Sequence, residues 1–146
     1  MLTPGTITFT FTGGAVVAAG SGSIDFPLTF VWTNDASVTS IDRSQPLTIT
    51  WSGATSGATV GVAIQSQVLP GVGAELTCSA DATPGTFTIS ESFLSALPPS
   101  YTNAEGVAVG SISVSEGFIG SFANKSLDLA QTQFVDSVDK APVPVH

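Results

Sequence analysis

Hydrophobic and polar residues alternate with period two along most of this chain, which predicts a succession of short β-strands. The sharpest run is Leu47 to Trp51, read L-T-I-T-W, with Leu47, Ile49 and Trp51 on one face and Thr48 and Thr50 on the other. Pro46 precedes it and Ser52 and Gly53 follow, so it reads as one bounded strand carrying a large aromatic inward. Thr6 to Thr12, T-I-T-F-T-F-T, alternates as cleanly, setting Ile7, Phe9 and Phe11 against four threonines. Gly13 and Gly14 supply a turn, and Ala15 to Ala19 is expected to return as a second strand. Ile24 to Trp32 places Ile24, Phe26, Leu28, Phe30 and Trp32 on one face; Pro27 removes a donor in its middle, so an edge position or a bend is expected there.

Asn34-Asp35 marks a turn, after which Val38 and Ile41 lead through D-R-S-Q-P into the Leu47 strand. Thr59 to Gln65 aligns Val60, Val62 and Ile64; Val68 to Gly73 reads as a loop; Ala74, Leu76 and Cys78 form the next inward set, and Phe87 and Ile89 the one after, in Thr86 to Ile89. Ser90 to Leu97 spaces Phe93, Leu94 and Leu97 as a helix does, with Ser90 at the N-cap and Pro98-Pro99 as a stop. Between Gly106 and Ser115 the apolar phase changes, from Val107 and Val109 to Ile112 and Val114, and a bulge at Gly110-Ser111 would reconcile the two. Phe118, Ile119 and Phe122 follow in a Gly-rich stretch, Leu127 to Val138 is the last strand, and residues 139–146, ending A-P-V-P-V-H, read as an extended tail or linker. The expected fold is all-β: a single domain over residues 1–146, an immunoglobulin-like two-sheet sandwich of about nine strands with one short helical turn.

The segments V-W-T-N, I-D-R-S-Q-P-L-T-I-T-W-S-G, L-T-C-S-A-D-A-T-P-G-T-F-T-I, F-L-S-A-L-P-P and V-A-V-G-S-I-S-V carry a further signal. Through them the chain from Trp32 onward resembles an Ig-like C-terminal module of large secreted or surface proteins of soil bacteria. The resemblance implies an extracellular setting and a larger parent protein. Its motifs are strands and turns, so it transfers no site residues.

Only 10% of the residues are charged, against about 25% in an average soluble domain, which suits a secreted or surface module better than a cytosolic enzyme. Eleven acids against three bases (Arg43, Lys125 and Lys140) give a net charge of -8, which repels phosphate backbones and anionic lipid and argues against nucleic acid and membrane surfaces as partners. The uncharged stretch Met1 to Ile24 is too rich in Gly and Thr for a spanning helix, so no membrane insertion is expected. M-L-T-P-G lacks the basic and apolar regions of a secretory signal, so either the signal lies upstream of a fragment or the protein stays inside the cell; the low charge favours a fragment or mature form of a secreted or surface protein. Cys78 is the single cysteine and reads as a small buried hydrophobe.

The only histidine is His146, which argues against a Ser-His-Asp or Cys-His arrangement. The acids lie mostly beside turn residues, where Asp serves the backbone, so a glycosidase pair is not the favoured reading. The chain is therefore expected to be non-enzymatic, with no catalytic, cofactor-binding or metal-ligating residues. Asn34, Asp35 and Asp42 form the one calcium-like cluster before the tail, and they read as turn residues. Trp32 and Trp51 are in phase with aliphatic residues and belong to the core; Tyr101, after P-P-S, is the candidate for stacking on a ligand. Arg43 is expected to pair with a nearby acid, and Asn124-Lys125-Ser126 matches a glycosylation sequon.

The N-terminal segment, residues 1–31, presents an uncharged alternating strand of the kind that pairs with another chain, and Ile7, Phe9 and Phe11 are its candidate strand-exchange residues. The C-terminal tail is a second candidate for pairing with a neighbouring subunit or module, and pairing of the N-terminal strand within its own sheet is an alternative of at least equal weight. The functional expectation is an extracellular structural or adhesive module whose partners are copies of itself or adjacent modules, assembling into a fibre or array by edge-strand pairing. A carbohydrate-binding module with a glycan partner is the alternative.

Overall fold

The computed structural model describes residues 5–26, 30–122, 126–127 and 131–146 of the chain. Its strands are β1 (Gly5–Phe11), β2 (Gly20–Phe26), β3 (Val31–Trp32), β4 (Leu47–Ser52), β5 (Thr59–Leu69), β6 (Val72–Asp81), β7 (Thr86–Ile89), β8 (Gly110–Ser121) and β9 (Gln131–Lys140). One 3-10 turn covers Asp35–Ser37 and a single α-helical turn, α1, covers Glu91–Leu94. Seven of the strands make the sandwich: β3-β4-β7 form one sheet and β6-β5-β8-β9 the other, all antiparallel. Counted along the sandwich, strands one, two and five face four, three, six and seven, an immunoglobulin-like order. The remaining two, β1 and β2, pair with each other as a separate ribbon.

The period-two runs become the two inner faces. Ile49 and Trp51 of β4 and Ile89 of β7 are buried against Val60, Val62 and Ile64 of β5 and Ile112 and Val114 of β8. Trp32 lies opposite Trp51 across β3 and β4, and both indoles are in the core, as their phase requires. Trp51 Nε1 donates to the Ala82 carbonyl at 2.8 Å, so the ring is buried without stranding its N–H. Cys78 is half-buried and packs against the same core; burial pushes its thiol above the ordinary range, away from the reactive thiolate.

Several boundaries differ from the sequence reading. Ala15 to Ala19 is a looped connection with Val16 87% exposed, and the return strand begins at Gly20. The Ile24 to Trp32 run is divided between β2 and β3; Pro27 and Leu28, where the bend was expected, lie outside the described residues. Val68 to Gly73 is a hairpin end, not a loop: Pro70 and Gly71 alone join β5 to β6. Gly71 at φ 75° takes the left-handed position of a type II turn, and a register shift between Gln67 and Leu69 precedes it. The phase change near Gly110 is a break between elements and not a bulge. Asn103 N donates to the Val107 carbonyl and Val109 N to the Tyr101 carbonyl, closing a small hairpin ahead of β8. Of the expected helix one turn forms, burying Leu94 and Leu97 and leaving Phe93 exposed; Ser90 stands at its N-cap without a side-chain capping bond.

The largest departure is the C-terminal segment. Val143 is 0% and Val145 1% exposed, so A-P-V-P-V-H is extended, as expected, but docked in the core and not a linker. Ile41 and Val145 form a parallel bridge; Ile41 N donates to the Pro144 carbonyl, His146 N to Ile41, Ser100 N to Val145 and Val143 N to Gly110. A Cβ on Gly110 would lie 2.4 Å from the Val143 carbonyl oxygen, so the close approach needs glycine. The prolines cost no bonds, because it is the alternating valines that face inward and their own N–H groups that donate, Val145 N to Ser100 Oγ at 3.1 Å.

Candidate functional site

The β1–β2 ribbon carries the strand-exchange candidates. Ile7, Phe9 and Phe11 share a face opposite Ile24, Gly22 and Gly20, so small residues on β2 leave room for the rings on β1. A Cβ at Gly22 would fall 2.4 Å from the Phe9 ring and 2.9 Å from that of Phe122. Phe122, just past β8, meets Phe9 edge-on at 5.0 Å and Phe11 at 6.2 Å, the aromatic wedge on which the ribbon rests. The cover is partial: Ile7 remains 37% exposed. Thr8 and Thr10 face solvent, and among the described residues neither ribbon strand pairs with any other strand.

The polar candidates are mostly occupied in holding turns. Asn34 Oδ1 accepts from Trp32 Nε1 at 2.8 Å and from Thr50 N at 3.0 Å, and its Nδ2 donates to the Thr48 carbonyl at 2.8 Å, so it clips β3 to β4. Replacing Asn34 with Ala strands the buried indole N–H and is expected to cost about 2–3 kcal/mol in chemical denaturation. Asp42 accepts from the Ser44 hydroxyl and N–H, which together hold its carboxyl below the usual range; the Thr83 N–H does the same for Asp81. Each therefore favours the folded chain above the ordinary carboxylate range and yields that contribution as pH falls through its lowered value. Arg43 Nη1 donates to the Leu97 carbonyl at 2.9 Å, so the expected acid partner is replaced by a backbone oxygen.

Docking of the C-terminal segment brings His146 into an open groove with Asp42, Arg43, Ser44 and Ser95. The Ser44 hydroxyl binds the Asp42 carboxylate directly, so these contacts do not place an imidazole between nucleophile and acid as a relay requires. Tyr101 is half-buried, its N–H bonded to the Gln67 carbonyl. Asn124 and Lys125 of the sequon lie outside the described residues.

Sequence reasoning missed Glu116. Core-facing positions of the larger sheet form rows across the strands: Leu76, Ile64, Ile112 and Lys140; Cys78, Val62, Val114 and Val138; then Ala80, Val60, Glu116 and Asp136. Glu116 is 0% exposed. Its Oε1 accepts from the Thr55 N–H, whereas its Oε2 and the Thr55 hydroxyl are buried with no hydrogen-bond partner. The run I-S-V-S-E-G-F keeps one phase from Ile112 through Glu116 to Phe118, and that phase was the available signal.

Among the described residues no three His, Cys, Asp or Glu side chains converge, and no helix is long and apolar enough to cross a membrane. Comparison with protein-family models, with curated proteins and with solved structures found no match to this chain.

Proposed function

We propose that this domain is a non-catalytic structural or adhesive module, working outside the cell or at its surface, that joins to further copies of itself through the open edge of the β1–β2 ribbon. The observation that carries the reading is an uncharged T-I-T-F-T-F edge lacking the usual guards of edge strands, lysine, proline or a bulge, on a ribbon whose apolar face is half covered. A two-stranded ribbon is marginal by itself in water, and an added strand from a second copy satisfies its free main-chain groups and extends its apolar face. The resemblance to Ig-like modules of secreted proteins supports the same setting. The carbohydrate-binding alternative has less in its favour, since both indoles are in the core and Tyr101, its candidate for stacking on a sugar, is half-buried.

Light scattering over a concentration series tests this. The unmodified chain is expected to grow in mass with concentration, and Thr8→Glu combined with Thr10→Glu, both on the solvent face, is expected to hold it monomeric, because like charges then meet across any β1 pairing. A chain that stays monomeric throughout, or a double variant that associates equally well, refutes ribbon-mediated assembly.

A further inference from the structure

We propose that Glu116, Asp136 and Thr55 form an oxygen-donor site for one hard divalent cation of the calcium type. The starting point is a carboxylate where the sheet otherwise buries hydrocarbon. Glu116 follows Val114 and precedes Phe118 on the inner face, is sealed from solvent, and has one oxygen, Oε2, without a partner. Such a group is stable inside a protein only when a donor or an opposite charge meets it. The Thr55 hydroxyl, on the turn whose N–H binds the other Glu116 oxygen, is also buried and unmatched.

Asp136 sharpens the case. It pairs in register with Glu116 across β8 and β9, so the two side chains leave the same face of the sheet, and Asp136 is half-buried between exposed Val135 and Ser137. Like charges directly opposite on a strand pair oppose folding. Of the bases among the described residues, Arg43 donates to the Leu97 carbonyl and Lys140 to the Asp35 carbonyl, four residues and about 13 Å along β9 from Asp136, so neither relieves them. A buried carboxylate with one unmatched oxygen, a second carboxylate in register with it and an unmatched hydroxyl are what a hard cation takes, completing its shell with main-chain and water oxygens. Half-buried Thr55 and Asp136 give it a way in from solvent. With two carboxylates the affinity falls in the weak range of extracellular calcium modules, about 10⁻⁴ to 10⁻³ M.

The test uses the full chain stripped with a chelator, with calcium chloride as the probe. Titration calorimetry is expected to show one site per chain in that affinity range, and about 10 mM calcium to raise the melting temperature by about 3–6 °C. Sodium chloride at matched ionic strength is expected to leave it unchanged. Glu116→Gln keeps an oxygen for the Thr55 N–H and should abolish the calcium response; Asp136→Asn, at a half-buried position, should weaken it about tenfold or more and serves if the first variant does not fold. No heat and no thermal shift in the unmodified chain overturns the proposal. So does an equal shift with sodium chloride or in both variants, which would trace the effect to scattered surface acids.

Discussion

Ending the chain at Ala141 is expected to remove about 3–6 kcal/mol, a large share of the roughly 5–15 kcal/mol that keeps a domain folded. The segment beyond contributes two fully buried valines, Val143 and Val145, each worth about 1.5–3 kcal/mol. Its main-chain bonds to Ile41, Arg43, Ser100 and Gly110 are individually worth about 1 kcal/mol and are offset by the cost of ordering the residues that make them. The apolar term therefore decides the outcome. Urea unfolding followed by tryptophan fluorescence measures it, and a loss below about 1 kcal/mol would show the segment to be dispensable.

Trp51→Ala is the second large effect, expected at about 3–5 kcal/mol from the cavity left in the core against β4. Trp51→Phe separates packing from hydrogen bonding: the benzyl ring retains much of the volume while the Ala82 carbonyl loses its donor, and about 1–3 kcal/mol is expected. Equal losses in the two variants would place the whole contribution of Trp51 in the Nε1 bond. Both are measurable by the same denaturation experiment, with Trp32 as the remaining fluorophore.

What the sequence made legible was the part of the fold in which a strand has one dry and one wet face. In β4, β5 and β7 the side chains themselves report orientation, and each strand sits where its alternation placed it. The failures share a cause: composition outweighed phase. Two prolines made Ala141 to His146 read as a linker, although Val143 and Val145 alternate like any half-buried strand. Pro70-Gly71 made a hairpin turn look like the middle of a loop. The Gly13-Gly14 turn suggested an immediate return at Ala15 to Ala19, but the small side chains there do not hold a strand, and pairing with β1 begins at Gly20. Glu116 was passed over because a charged residue ended the search along β8, when an unbroken phase across it was the evidence of its burial. Asn34 was read correctly as a turn residue, yet its role as the acceptor for the Trp32 indole depends on a pairing of β3 with β4 that only the assembled sheet supplies.

The bridge between Ile41 and Val145 joins residues more than a hundred positions apart, so it also bears on the order in which the domain is made. During synthesis, Ile41 and the strands that follow it emerge before the partner strand of Ile41 does. Until that strand arrives, the end of the sandwich at Ile41 and Gly110 stays open with its hydrocarbon wet, the kind of exposed apolar surface through which partly folded chains associate.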